Sequence, residues 1–77
     1  MVTREQVRMA RAALDWSMRE LAEKAGVAMN TVNRYENGAD ALGENLLKIR
    51  RALEAGGVVF IDENGGGVGV RIKKSVR

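Results

Sequence analysis

The sequence contains no cysteine, no histidine and no proline. Without cysteine there is neither a disulfide nor a thiolate ligand. With histidine missing too, zinc fingers, Cys/His nucleophile pairs and Ser-His-Asp triads are excluded. Aromatic side chains are scarce, with one Trp, one Tyr and one Phe. No apolar run approaches the roughly 18 residues that span a bilayer. The opening Met1-Val2-Thr3-Arg4-Glu5 lacks the apolar stretch of a secretion signal. A cytoplasmic protein without membrane association is expected. The charge balance is mild: thirteen Lys/Arg against ten Asp/Glu give a net charge of +3. Such a balance permits a nucleic-acid footprint but does not demand one, and by itself it more often serves solubility. What is present is a globular composition, 45% hydrophobic and 30% charged, in 77 residues. A chain of this size buries only about 60% of its unfolded surface, so a second subunit would help it considerably.

Two regimes divide at Gly56-Gly57. Residues 3–55 read as short helices, and residues 58–74 switch to a period of two, rich in Val and Gly. The first helix is expected from about Thr3 to Leu14, opened by a Thr3/Gln6 capping box, with Val7, Ala10 and Leu14 on one stripe. The second, Met18 to Ala25, starts at a Ser17/Glu20 capping box. Trp16 and Leu21 are placed to staple across it, and Gly26 closes it. A third runs from about Met29 to Glu36 and stops at Asn37-Gly38. A fourth, Gly43 to Ala55, aligns Leu42, Leu46, Ile49 and Leu53. Val58–Asp62 and Val68–Lys73 read as a β-hairpin turned at Asn64-Gly65. That turn predicts Val59 opposite Val70 and Ile61 opposite Val68. Val59, Ile61, Val68, Val70 and Ile72 then share an apolar face, and Phe60 lies over Gly69. The fold class is mainly α, a four-helix domain of helix-turn-helix type (residues 1–57) with a C-terminal β-hairpin (residues 58–77).

The informative stretch is Ser17 to Gly38, two short helices joined by a tight Gly-containing turn, with Ala22 small at their crossing. Val27, Val32 and Tyr35 are expected to seal the pair onto the first and fourth helices. Residues 3–55 resemble the Cro/CI-like (Xre) family of repressors. The resemblance rests on Trp16-Ser17-x-x-Glu20-Leu21-Ala22, Lys24-Ala25-Gly26-Val27, Thr31-Val32-x-Arg34-Tyr35 and Glu36-Asn37-Gly38. It implies that the third helix reads bases through Met29, Asn30, Asn33 and Arg34. Asn is suited to adenine N6/N7, Arg to guanine O6/N7, and the Met29 thioether to a thymine methyl. Phosphate contacts fall on Ser17, Met18, Arg19, Thr31 and Asn37. The resemblance also pairs Arg11 with Glu36 in an internal salt bridge. This chain departs from the family pattern at Ala28, which lacks a capping hydroxyl. It departs again at Ala39-Asp40-Ala41, where many relatives carry Lys or Arg.

The expectation is a DNA-binding transcriptional regulator that takes double-stranded operator DNA as partner, acts as a homodimer and has no catalytic activity, metal or cofactor. Its place would be the nucleoid. A protein-interaction module, such as an antiactivator or the antitoxin of a toxin–antitoxin pair with a protein partner, is the rival. The hairpin residues Val59, Phe60, Ile61, Val68, Val70 and Ile72 are expected to hold the dimer, with packing on the fourth helix as the alternative. Lys73, Lys74 and Arg77 read as a solubilising basic end.

Overall fold

The computed structural model describes residues 2–73; Lys74 and Arg77 lie outside them. Four helices are followed by an antiparallel hairpin: α1 Arg4–Leu14, α2 Met18–Ala25, α3 Met29–Glu36, α4 Gly43–Ala55, β1 Val58–Ile61 and β2 Gly69–Ile72. Both capping boxes form. Gln6 N–H donates to Thr3 Oγ1 and Thr3 N–H to Gln6 Oε1, and Glu20 N–H donates to Ser17 Oγ while Ser17 N–H donates to Glu20 Oε1. Asp15 (φ 58°) and Gly26 (φ 73°) end α1 and α2 in the left-handed region. Trp16 N–H then reaches back to Arg11 O, and Val27 N–H to Ala22 O, satisfying carbonyls that the helix ends leave open.

The core draws on all four helices and the first strand: Val7 and Ala10 of α1, Leu21 and Ala22 of α2, Val32 and Tyr35 of α3, Ile49, Ala52 and Leu53 of α4, and Val58 of β1. Val27 packs against this cluster as expected, and so do Leu14, Trp16 and Leu46. Leu42 does not join the buried stripe of α4. It is 67% exposed. As the N-cap it has extended backbone (ψ 143°), which takes its side chain off the helical face.

The hairpin pairs one residue out of the expected register. Val58 faces Ile72, Val59 faces Arg71, Phe60 faces Val70 and Ile61 faces Gly69. Because side chains alternate strictly, this slip regroups them. Val58, Phe60, Val70 and Ile72 share one face, and Val59 and Ile61 share the other with Arg71. Phe60 therefore does not lie over Gly69. The cause is the loop. Glu63 Oε2 accepts from both Gly65 N–H and Gly67 N–H at 3.0 Å, and both glycines have positive φ. That carboxylate organises a wider turn than Asn64-Gly65 alone would make.

The hairpin packs onto the helices of its own chain. β2 contacts α1 and β1 contacts α4, and Phe60 and Val70 join Val58 against the core. Gln6, which is buried, also uses its amide Nε2 to donate to Ile61 O and Gly69 O, each at 3.0 Å. One side chain thus caps α1 and ties down the hairpin. Arg50 sits over the Phe60 ring, 5.7 Å from its centroid.

Trp16 spreads across the end of α4. A Cβ at Gly56 would come within 2.8 Å of Trp16 Cη2 and 2.9 Å of Leu14 Cδ1. Gly56 has φ −80°, which any residue adopts, so the reason for glycine here is steric. Loss of glycine's backbone freedom in the unfolded chain alone would make Gly56→Ala stabilising by about 0.4–1 kcal/mol. Overpacking costs about 1–3 kcal/mol and is expected to win. Urea denaturation should show Gly56→Ala destabilised in the native background and clearly less so beside Trp16→Ala, where only Leu14 still crowds the added methyl. A stabilised single variant would mean that the indole gives way.

Candidate nucleic-acid interface

The unit formed by α2 and α3 is built from short local rules. Ala22, 4% exposed, lets the helices approach, Gly26 supplies the left-handed turn, and fully buried Val32 anchors the inner side of α3. The C-terminal end of α3 is held by charge. Glu36, 1% exposed, accepts a fork of two bonds from Arg11, Nε to Oε2 and Nη2 to Oε1, both 2.8 Å. Arg11 Nη1 also donates to Trp16 O at 3.2 Å, tying in the start of α2. The bonds to Glu36 raise the Arg11 pKa beyond its already high value; burial opposes this and the carboxylate charge adds to it. The Arg11–Glu36 pair implied by the resemblance is therefore present.

Anchored in this way, α3 turns its other side outward. Met29, Asn30, Asn33 and Arg34 are all exposed, Met29 at 43%. The structure brings the four expected base-reading positions onto one open surface. Asn33 is partly engaged: Asn37 Nδ2 donates to its Oδ1 and to its backbone carbonyl. Among the described residues Arg34 has no carboxylate within 4.0 Å and Asn30 makes no side-chain hydrogen bond. Ala28 provides no side-chain cap, as its identity dictates. Of the expected phosphate positions, Ser17, Arg19 and Asn37 are exposed and Thr31 is half-buried. Met18 leans on the core cluster.

A helix-turn-helix family model matches residues 7–56, most of the chain. The chain belongs to the Cro/CI/Xre-type helix-turn-helix family. No curated protein matches it. Membership accounts for the architecture just described and places the protein among DNA-binding regulators. No helix of the described residues is long and apolar enough to cross a membrane, and they hold no cluster of metal-ligating side chains.

The structure adds residues that local sequence patterns do not reveal. Arg4, which reads as a surface charge, donates from Nη2 to Gly38 O at 3.3 Å and so links α1 to the turn after α3. Asp40 and Asn45, from the connection to α4 and its first turns, line a shallow concavity with Asn30 and Arg34. Asp40 falls in the Ala39-Asp40-Ala41 stretch where the chain departs from the pattern of the resemblance, whereas Asn45 carries no sequence signal; both follow Gly38, whose φ is 107°.

Tyr35 lies directly behind this surface. It is 8% exposed, and its hydroxyl donates to Val2 O at 2.9 Å. Burial raises the phenol above its ordinary value of 10.0; Arg4 opposes the rise, and Glu5 and Asp40 add to it. A raised value in the folded state means that the folded protein holds this proton more tightly than the unfolded chain does. The contribution of Tyr35 is therefore complete below about pH 10 and is lost as pH climbs through the higher folded value. Urea denaturation across that window should show stability falling more steeply with pH in the native protein than in Tyr35→Phe. Equal slopes would mean that another group governs the alkaline loss.

Proposed function

We propose that this protein is a sequence-specific transcriptional regulator of the repressor type, reading operator half-sites in the major groove with α3. The observation that carries the reading is the composition of the outward face of α3. Asn30, Asn33 and Arg34 stand exposed on a helix whose inner face is fixed by Val32 and the Arg11–Glu36 pair. These are the side-chain types that match adenine and guanine edges. Ser17 and Arg19 at the start of α2, and Thr31 and Asn37 on either side of the reading face, serve the phosphates. The Ser17 oxygen accepts the capping bond, which leaves its O–H free to donate. The place of action is the nucleoid in the cytoplasm, and nothing in this reading calls for catalysis.

The test is enrichment of binding sites from a random duplex library, followed by titration of the enriched site. Asn30→Ala, Asn33→Ala and Arg34→Ala should each cost about 1–3 kcal/mol and relax the preference at particular base positions. Arg19→Ala should weaken all sequences alike and reduce the salt slope by about one. If the three α3 variants bind as the native protein does, with unchanged thermal stability, α3 is not the reader. One observation favours a second reading, a protein-interaction module such as an antiactivator or antitoxin. Met29 places an exposed thioether at the start of α3, where a protein partner would bury it.

The regulator reading includes a homodimer held through the hairpin, because paired half-sites about 34 Å apart call for a two-fold axis. The register redirects this part of the reading. Phe60 and Val70 are engaged with their own core. The surface available to a second copy is therefore Val59 and Ile61 on the opposite face, together with Ile72, 40% exposed at the strand end. Strand pairing or stacking there would give an isologous contact. Deleting the hairpin would unroof the core at Val58 and test folding, so substitutions on the outer face are the better probe. Sedimentation at about tens of micromolar should show a dimer for the native chain and a folded monomer for Val59→Asp with Ile61→Asp. The monomer should bind operator far more weakly, having lost half the phosphate contacts and all avidity. A native monomer, or a doubly substituted dimer, removes the hairpin from the interface.

A further inference from the structure

The sequence places an acidic residue, Asp40, just after the turn at Gly38, and the structure shows where it goes. Asp40 lines the same shallow concavity as Arg34 and Asn30 of α3, with Asn45 of α4 on the far wall. Asp40 and Arg34 are both exposed and do not neutralise each other: no nitrogen–oxygen approach within 4.0 Å joins them. The Asp40 carboxylate makes no hydrogen bond among the described residues, so it has no evident role in holding the fold. Its chemistry is also wrong for a phosphate site, because a carboxylate repels the phosphate rows. A concavity combining a free guanidinium, a free carboxylate and two carboxamides suits a base edge that offers both acceptors and a donor.

In the major groove a G·C pair presents N7 and O6 of guanine as adjacent acceptors, then the N4 amine of cytosine as a donor. An A·T pair presents acceptor, donor, acceptor, and the thymine methyl flanks the last. A guanidinium beside a carboxylate matches the first order and not the second. We propose that Arg34 and Asp40 read the two halves of one G·C pair. Arg34 donates to guanine N7 and O6, and Asp40 accepts from the N4 amine of the paired cytosine. Asp40 is then a specificity-determining residue outside the third helix. This inference rests on the reading of α3 as the base-contacting element. It goes further in assigning the base pair and the acidic reader. The same carboxylate lowers affinity for unrelated DNA, because without a cytosine amine to accept from it faces only phosphate charge.

The test uses the full chain and a duplex carrying the enriched site. At the G·C position that Arg34→Ala relaxes, cytosine is replaced by 2-pyrimidinone, which still pairs with guanine but lacks the N4 amine. The native protein should bind the amine-free duplex about 5- to 100-fold more weakly than the parent duplex, the range for one specific base contact. Asp40→Ala should weaken binding to the parent duplex, be nearly indifferent to loss of the amine, and bind random duplex more tightly than the native protein does. Asp40→Asn, whose Oδ1 still accepts a hydrogen bond, should also bind random duplex more tightly but keep part of the dependence on the amine. Their thermal unfolding should match the native protein, since Asp40 is exposed and unbonded. A native protein indifferent to the amine overturns the proposal. So do Asp40 variants that bind specific and random duplexes more tightly by the same factor, which would make Asp40 a phosphate repellent only. Both results leave the α3 reading standing. If the native protein enriches no site from the library, the α3 reading falls and this inference with it.

Discussion

The fork between Arg11 and Glu36 is the contact on which the arrangement of the helices depends. Glu36 is almost completely removed from water at the last position of α3. A carboxylate there is tolerable only because a guanidinium meets both of its oxygens. Arg11 is on α1, and its remaining nitrogen reaches the carbonyl of Trp16 where α2 begins. Three segments are thereby brought to one charged point. Removal of Arg11 is the costly change, typically about 3–5 kcal/mol for a buried pair, because Glu36 stays buried without a partner. That is a large fraction of what a domain this small possesses. Apolar packing around Leu21, Val32 and Leu53 brings the helices together and sets the inner side of α3. The planar fork adds a directional contact that ties the end of α3 to α1 and to the start of α2.

What the sequence made legible was local. Thr3/Gln6 and Ser17/Glu20 are boxes closed within four residues, and Gly26 ends α2 through its own backbone freedom. The bounds of α2, α3 and α4 could accordingly be read directly. The register of the hairpin could not. Asn64-Gly65 is a strong turn signal by propensity, yet the Glu63 carboxylate gathers the amides of Gly65 and Gly67 into a wider loop. A displacement of one residue then exchanged the faces of the strands. Leu42 misled for a related reason. It has the spacing of the α4 stripe but sits one residue outside the helix, where that spacing no longer determines direction.

The candidate site was legible to a similar extent. The resemblance, not periodicity, singled out Met29, Asn30, Asn33 and Arg34, and all four lie on the exposed side of α3, opposite Val32 and Glu36. Asp40 and Asn45 could not be assigned to that face in advance, since they meet it only after the turn at Gly38. Gln6 is the clearest instance of the limit. Its capping role is visible three residues away, whereas its bonds to Ile61 and Gly69 span 55 and 63 residues.

The loop between the strands is different in kind from the rest of the hairpin. Residues 62–67 are all exposed, and the bonds that shape them stay within the loop. The strands below are fastened through Gln6, Val58, Phe60 and Val70. Added residues at Asn64–Gly66 would therefore lengthen a solvent-facing arc whose closure entropy grows only slowly with length. The tip of the hairpin is thus the natural place to graft a reporter or affinity peptide, because the α2–α3 unit and the packed strands keep their contacts.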